Sequence, residues 1–279
     1  MKEPIMSYER READNQFSPS AGTAPESAAA AAWANECAGW LALGRSPEAE
    51  GLYVIGRSEN LIWARPDQKA PRGLPVMLLV ERALPDAESQ LRAAVERFAV
   101  PGTPVYVSLP PDGELDGWRE AAWRLGFRHE SIQLLMTCPL SRRRPAAAPA
   151  RHHVAEAASD RDWRDALRVI GEVYDDPPGL TSFYNPRDAV RLFLARINGE
   201  AVAAAALWPF DGVAGIYSVA TRRRFRGLGL AYAVVEHMLH RAQEEDFQLA
   251  SLRTTGDLIT LYMRHGFGVA GQIHRYRLG

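Results

Sequence analysis

The pattern of strand, turn and helix around residues 218–231 constrains the fold of this chain more than any other feature. The segment reads SVATRRRFRGLGLA, in which an apolar stretch predicts a β-strand and two glycines predict a tight turn. A helical pattern follows at once, with an apolar face formed by Val234, Val235, Met238, Leu239 and Ala242. A helix N-terminus presents unpaired N–H groups, and glycine lets an anion approach the backbone closely. This order therefore predicts an α/β unit whose turn binds phosphate, with pyrophosphate as the best-suited anion.

The glycine turn also has other interpretations. Two glycines and four arginines also fit a tight turn that carries a solvated charge run. The turn lacks the Gly-Lys-Ser/Thr ending of a P-loop, and it lacks the three-glycine dinucleotide fingerprint. A basic patch for nucleic acid is disfavoured because the formal net charge is −1, whereas proteins that neutralise many phosphates carry a basic face or domain.

The domain organisation follows from length and composition. A chain of 279 residues exceeds the size at which one core usually stops growing, so two domains are expected. Residues 1–25 are polar and aperiodic, which predicts a disordered tail. Residues 140–152 are rich in proline and arginine and predict a linker with a solvated Arg142–Arg144 run, between domains at 26–139 and 153–279.

Shorter signals predict individual elements of a mixed α/β fold. Ser27 precedes an alanine-rich stretch that ends near Gly44, which predicts a capped helix. Asn198-Gly199 lies between two apolar runs and predicts a type I′ hairpin. The segment SEN, between two apolar runs at 51–57 and 61–65, predicts a second hairpin.

Several classes of protein are disfavoured by what the sequence contains. Cys37 and Cys138 are too few for a disulfide framework or a cysteine metal cluster, so a reducing compartment is expected. His152 and His153 have no accompanying cluster of ligands, and no metal is expected. No apolar run is long enough to span a bilayer and the first residues do not resemble a signal peptide, so we expect a cytoplasmic protein without a membrane partner.

A family resemblance emerges downstream of the glycine turn. The string V-A-T, then Arg226-x-x-Gly229-x-Ala231, a further strand and the segment LYMRHGF together resemble the core of the GCN5-related N-acetyltransferase (GNAT) superfamily, over about residues 152–279. The resemblance implies an α/β (α+β) fold in which a mixed, mostly antiparallel twisted sheet is flanked by helices. It also implies acetyl-coenzyme A as co-substrate.

The same resemblance implies a set of site residues. The backbone of Val219, Ala220 and Thr221 corresponds to a splayed strand that pairs with the pantetheine arm. The pyrophosphate loop corresponds to Arg226, Gly227, Leu228, Gly229, Leu230, Ala231 and Tyr232. Thr255 stands where many members have an asparagine that contacts the cofactor. Tyr262 occupies the position of the general acid, and a phenol with a reference pKa near 10 keeps its proton at neutral pH.

A general base is not apparent from the sequence. Tyr217 occupies the strand position where some members have a glutamate. Glu172, Asp175 and Asp176 lie in a segment that helps to wall the acceptor pocket in the family, where they can bind a cationic amine or relay its proton through water, although ordinary surface acids fit the pattern equally well. His237 and His265 are expected to be surface helix residues.

The N-terminal half resembles a second, degenerate copy of the same domain. A Gly-Phe step into a final strand occurs in both halves, but Ala122 stands where the other half has Tyr262. No Arg-x-x-Gly-x-Gly occurs in this half, and Pro85 opens the corresponding helix instead. We expect this half to shape the acceptor pocket or to stabilise the active half.

The leading functional hypothesis is an N-acetyltransferase that uses acetyl-coenzyme A and acetylates a primary amine of a small molecule or peptide. One alternative is transfer from another donor, either a longer acyl-coenzyme A or an aminoacyl-tRNA. A second alternative is a coenzyme A-binding sensor without catalysis. The acceptor and the oligomeric state stay open at this stage.

Overall fold

The computed structural model describes residues 27–58, 60–82, 86–111, 115–143, 152–176 and 179–279. The predicted tail at 1–25, Pro85 and most of the predicted linker lie outside these ranges. Among the described helices, none combines the length and the apolar run that crossing a bilayer requires.

The described residues form an 11-stranded sheet with helices on both faces. The strands are β1 Tyr53–Ser58, β2 Leu61–Pro66, β3 Val76–Val80, β4 Val105–Ser108, β5 Arg128–Pro139, β6 His153–Glu156, β7 Arg191–Ile197, β8 Glu200–Phe210, β9 Val213–Thr221, β10 Leu249–Thr254 and β11 Gly268–Leu278. The helices are α1 Ala28–Leu43, α2 Ala87–Phe98, α3 Asp116–Arg124, α4 Asp160–Tyr174, α5 Leu180–Tyr184, α6 Leu230–Glu244 and α7 Ile259–Met263.

Local signals position several of these elements as predicted. The Ser27 side chain accepts a hydrogen bond from the Ala30 N–H and begins α1, which ends before Gly44. Asn198 and Gly199 both have positive φ, as a type I′ turn requires, and join β7 to β8. Strands β1 and β2 pair antiparallel from Tyr53, opposite Pro66, to Ser58, opposite Leu61, as the predicted hairpin requires.

The sheet is mixed and mostly antiparallel, which confirms the predicted fold class. Its strand order is β1-β2-β3-β4-β11-β5-β10-β9-β8-β7-β6. Among the described strands, only the pairs β3–β4 and β9–β10 are parallel. One continuous sheet contains the strands of both halves, whereas two copies of the domain predict a separate sheet in each half.

The two halves repeat one order of elements and exchange their last strands. In each half a helix precedes an antiparallel hairpin, and a strand, a helix, a parallel strand, a helix and a long strand follow. The last strand of the first half, β5, lies between β10 and β11, while the last strand of the chain, β11, pairs with β4 as well as with β5. Each half therefore depends on the other for a sheet neighbour.

Three groups of buried apolar side chains hold the helices on the sheet. The first group joins α1, α4 and α5 to one face along both halves. On the opposite face, α6 and α7 pack on the second half and α2 and α3 pack on the first. Helix α1 crosses the boundary between halves, since it belongs to the N-terminal half but packs on β8 and β9.

Candidate functional site

The parallel strands β9 and β10 separate at one end and form a fork. Their pairing in the described residues runs from Leu249, opposite Val213, to Leu252, opposite Ile216. Strand β9 continues to Thr221 and β10 to Thr254, so both extend beyond their last paired position. The part of β9 that extends beyond its pairing with β10 contains the predicted residues Val219, Ala220 and Thr221.

A β-bulge accounts for the bend of β9 at the fork. Ala206 lies opposite Tyr217 on β9, but Ala204 lies opposite Ala220, so two residues of β9 face one residue of β8. Ser218 has a φ of 53°, an unusual value for a residue other than glycine. Because a bulge bends its strand and ends regular pairing, it directs β9 away from β10.

The glycine turn leads from the fork into α6. Gly227 and Gly229 have φ values of 81° and 78°, and a Cβ at either position would meet no atom within 4 Å, so the turn faces open space. Gly229 precedes the first helical residue, and within the part of the chain that the structure describes no side-chain cap bonds the first N–H groups of α6. The exposed turn and the uncapped helix N-terminus have the geometry of an anion site.

A basic cavity of about 620 Å³ adjoins this turn. Its walls are Glu172, Val173, Arg222, Arg223, Arg224 and Arg226. Glu172 and Glu200 both pair with Arg222, and Glu200 also pairs with Arg224. Arg223 and Arg226 are exposed, and neither has an ion pair among the described residues. Arg226 Nε donates to the Thr221 carbonyl at 3.2 Å. The charges of both guanidinium groups lie beside the glycine turn without a carboxylate partner among the described residues.

Two tyrosines approach the fork from opposite faces of the sheet. Tyr262 of α7 is 6% exposed, and burial followed by the neighbouring Tyr174 raises its pKa to about 12. The Tyr174 hydroxyl, on α4, donates to the carbonyl oxygen of Val219 at 3.2 Å. Tyr262 therefore keeps its proton at neutral pH, and Tyr174 occupies a carbonyl of the splayed strand.

The sequence that forms these elements matches a known family. Residues 157–267 match the sequence profile of the family described as "Acetyltransferase (GNAT) family". The chain contains a GNAT domain. The matched residues include the fork, the glycine turn and Tyr262.

Solved structures with the same fold extend the similarity beyond this domain. A GCN5-related N-acetyltransferase from Kribbella flavida has a TM-score of 0.66 at 18% identity, covering 88% of this chain and 95% of that one. A GCN5-related N-acetyltransferase from Sphaerobacter thermophilus has a TM-score of 0.59 at 17% identity, covering 92% and 93%. These matches include most of the N-terminal half and show a shared fold. None of the curated protein sequences compared with the chain is significantly similar to it.

The other residues predicted for the GNAT domain are not all brought to the fork. Leu230, Ala231 and Tyr232 form the first turn of α6, and the carbonyl of Leu228 lies 2.8 Å from His152 Nε2. Thr255 is exposed beyond the end of β10, and its hydroxyl contacts Asp257.

The three predicted acidic residues have different surroundings. Glu172 lies in the basic cavity and pairs with Arg222 at 2.8 Å. Asp176 accepts a hydrogen bond from the Thr181 hydroxyl at 2.8 Å. Asp175 ends α4 with positive φ. Of these carboxylates, only Glu172 has a place in the walls of the cavity.

Two predictions about exposed residues are wrong. His265 is 3% exposed, stacks on Tyr232 and lies 3.1 Å from Glu236, and both of these residues belong to α6. Arg143, predicted to be solvated, is 5% exposed and pairs with the same Glu236. Burial alone would raise the pKa of Glu236, but its bonds to His265 and Arg143 hold that pKa below its usual value.

Sequence reasoning missed the residues that α1 contributes to the GNAT domain. The Asn35 amide donates to the carbonyls of Trp208, Phe210 and Val213, at 2.9–3.1 Å. Glu36 is 2% exposed and accepts a hydrogen bond from the Tyr217 hydroxyl at 2.8 Å. A polar pair in an otherwise apolar helix was the available signal, since buried polar groups need specific partners.

No group of three or more potential metal-binding side chains (His, Cys, Asp or Glu) lies together within the ranges that the structure describes.

Proposed function

We propose that this protein is an N-acetyltransferase that uses acetyl-coenzyme A and acetylates a primary amine of a small molecule or peptide. The observation that carries the proposal is the continuity of one site: an open fork, a glycine turn at a helix N-terminus and a buried, protonated tyrosine. The GNAT domain supports acyl transfer in general. The donor, the amine acceptor and the residue roles belong to the proposal.

The chain's own residues fit a pantetheine arm and a pyrophosphate. The backbone of Val219, Ala220 and Thr221 at the fork would hold the extended arm by hydrogen bonds. These bonds would replace those that Tyr174 and Arg226 donate to the carbonyls of Val219 and Thr221. The N–H groups from Gly227 to Tyr232 would hold the pyrophosphate, because the turn leaves open space where a side chain would stand. Arg223 and Arg226 would add charge-assisted bonds to the phosphates. Bound there, acetyl-coenzyme A would supply an acetyl group activated as a thioester.

Tyr262 would hold the proton that the departing sulfur needs. Its hydroxyl stays protonated at neutral pH because burial raises its pKa to about 12. A positioned acid of this kind contributes about 10²- to 10⁴-fold to a rate. The fork would add to this by aligning the reacting groups before the bond forms.

For the N-terminal half, residues 26–139, we propose a degenerate GNAT-like copy joined by a linker at 140–152 to the catalytic domain at 153–279. The repeated order of elements supports this division. Ala122 of α3 stands where α7 has Tyr262, so this half lacks the proposed acid. The cytoplasmic location and the lack of nucleic-acid and membrane partners stay predictions.

Donor binding can be tested by thermal denaturation with Gly229→Glu. Acetyl-coenzyme A at 100 times its dissociation constant should stabilise the wild type by about 2.7 kcal/mol, and the variant should lose this shift because it puts a carboxylate in the anion site. Gly102→Glu is the matched control, since Gly102 has a similar φ of 73° and equally open surroundings in the other half. An equal shift in Gly229→Glu and the wild type would contradict the phosphate site.

Catalysis can be tested by thiol release with a panel of amines. Tyr262→Phe should lower kcat about 10²-fold or more, while the melting shift with acetyl-coenzyme A persists. Tyr53→Phe is the control, because Tyr53 is also buried and its hydroxyl has no hydrogen-bond partner among the described residues. Binding without turnover of any amine would favour the sensor, and turnover only with longer acyl-coenzyme A or aminoacyl-tRNA would favour the alternative donors.

A further inference from the structure

A buried carboxylate from the N-terminal half lies at the point where the fork divides. Tyr217 on β9 and Arg253 on β10 are the first residues beyond the last paired positions, Ile216 and Leu252. Glu36 contacts both: the Tyr217 hydroxyl donates to its Oε2 at 2.8 Å, and Arg253 Nη2 lies 3.0 Å from its Oε1. The carboxylate therefore connects the two branches of the fork.

The surroundings hold Glu36 in one orientation. Trp40 Nε1 donates to Oε1 at 3.0 Å, from one turn further along α1. Helix α1 is itself fixed on β9, because a Cβ at Gly215 would lie 2.3 Å from Asn35 Oδ1 and 2.6 Å from the Tyr217 ring. A glycine at this position thus permits the close approach of α1.

Because Tyr217 keeps its proton, its hydroxyl is the donor and Glu36 the acceptor of the hydrogen bond between them. Burial first, and then the charge of Glu36, raise the pKa of Tyr217 well above its ordinary value. The phenol has one proton, which it donates to Glu36, so the remaining lone pairs of its oxygen can accept a hydrogen bond. Tyr217 by itself is a poor base, but it can pass a proton to the carboxylate behind it.

We propose that Glu36 accepts the proton of the acceptor amine through the Tyr217 hydroxyl and so supplies the carboxylate that β9 lacks. This inference rests on the proposed function. Strand β9, Val213–Thr221, contains no Asp or Glu.

During acetyl transfer the amine loses one proton and the sulfur gains one. The amine nitrogen forms a bond to the acetyl carbon, and the bond from that carbon to sulfur breaks. The N–H proton moves to Tyr217 Oη while the Tyr217 proton moves to Glu36 Oε2. The sulfur takes the proton of Tyr262, and exchange with solvent returns Glu36 and Tyr262 to their starting forms. Tyr217 relays a proton, and Glu36 acts through it.

The charged neighbours of Glu36 come from several elements. Arg253 of β10 pairs with it directly, and Arg275 of β11 lies within electrostatic range. Cys37 follows it on α1, and its burial raises the pKa of that thiol well above its ordinary value, so the thiol stays neutral.

The test compares Tyr217→Phe and Glu36→Ala with the wild type in the full-length protein. Each variant should lower kcat about 10²-fold or more, while the KM for acetyl-coenzyme A changes less than about twofold. Glu81→Gln and Tyr53→Phe are matched controls, since Glu81 forms a comparable ion pair with Arg57 in the same half. Both controls should keep the wild-type kcat.

Rescue by formate separates a proton acceptor from a structural ion pair. Formate should restore kcat of Glu36→Ala at least about tenfold, and chloride at equal ionic strength should not. The double variant with Tyr217→Phe should show no rescue, because the relay is broken. Equal rescue in the single and double variants would show that formate only repairs the contact with Arg253, which would overturn the relay.

A readout in the absence of acetyl-coenzyme A tests the contact itself. The ¹³Cζ NMR signal of Tyr217, identified by its loss in Tyr217→Phe, should shift in Glu36→Ala and stay in place in Glu81→Gln. An unchanged signal in Glu36→Ala would overturn the inference. If the wild type turns over and Tyr217→Phe keeps its rate, only the relay fails; a wild type that releases no thiol with any amine overturns the proposed function as well.

Discussion

The two parallel strand pairs of the sheet differ in whether they open. In the N-terminal half, β3 pairs with β4 from Val76 to Leu79, all residues of β3 are buried, and the register with β2 has no shift. In the C-terminal half, β9 extends five residues beyond its last pair with β10 and carries a bulge. The same order of elements therefore gives a closed, apolar strand pair in one half and an open fork in the other.

This difference lies at the candidate site. A bulge and a glycine turn are local features, and they convert a core strand into a site without changing the topology. The closed half contributes in another way, because its α1 brings Glu36 to the fork and its β5 completes the sheet beside β10. The predictions below test how far one half depends on the other.

The largest effect is expected from separating the halves. A fragment of residues 152–279 lacks β5, the strand that pairs with both β10 and β11. We expect this fragment not to fold cooperatively, because β10 and β11 lose their shared neighbour and apolar surface under α1 is exposed. Urea denaturation followed by circular dichroism tests this, and a cooperative transition like that of the full chain would contradict it.

A smaller effect is expected from Arg143→Met, at the boundary between halves. Arg143 and Glu236 are 5% and 6% exposed, and removal of one partner leaves a buried charge. Breaking such a pair costs about 3–5 kcal/mol. Chemical denaturation should show this loss. Arg92→Met, which breaks an exposed pair with Glu88, should change stability by less than about 1 kcal/mol.

Gly215→Ala tests the contact of α1 with the fork. The added methyl group would collide with Asn35 and Tyr217, and such overpacking costs about 1–3 kcal/mol. We expect a lower melting temperature together with a weaker effect of Glu36→Ala on kcat, because α1 is displaced. Gly117→Ala is the control, since a Cβ there meets no atom within 4 Å. Equal stability of both variants would contradict the close approach of α1.

The smallest effect concerns pH. In the folded protein the pKa of Tyr262 is about 12, whereas the ordinary value of 10 applies to the unfolded chain. The contribution of this proton to stability is therefore complete below pH 10 and is lost as pH rises from 10 to about 12, at about 1.4 kcal/mol per pH unit. Urea midpoints between pH 9 and 11 should fall less steeply for Tyr262→Phe. Identical slopes would contradict the burial of this hydroxyl.

The sequence predicted features that depend on local chemistry. The Ser27 cap and the Asn198-Gly199 turn are specified by neighbouring residues, and the structure confirms both. The glycine turn between a strand and a helix was found in the same way. The assignment of Tyr262 as an acid stays a prediction, although its burial agrees with that role.

Features that depend on the choice of distant partners were not predictable. The sequences of β5 and β11 predict strands but do not specify which strand lies alongside each of them, so the exchange was missed. The polar pair in the alanine-rich α1 indicated that Glu36 needs a partner, but not that this partner is Tyr217, 181 positions away. Arg143 was assigned to solvent because its partner Glu236 lies on a helix about 90 residues further along the chain.

The exchange of strands also sets an order for folding during synthesis. Strand β4 pairs with β11, Gly268–Leu278, so the N-terminal half lacks this sheet neighbour until those residues have been synthesised. Contacts across such a long separation form slowly, and an uncovered strand edge favours aggregation. The N-terminal half is thus made before the strand that completes its edge, and a ribosome-bound chain stalled before residue 268 would present the edge of β4 to chaperones.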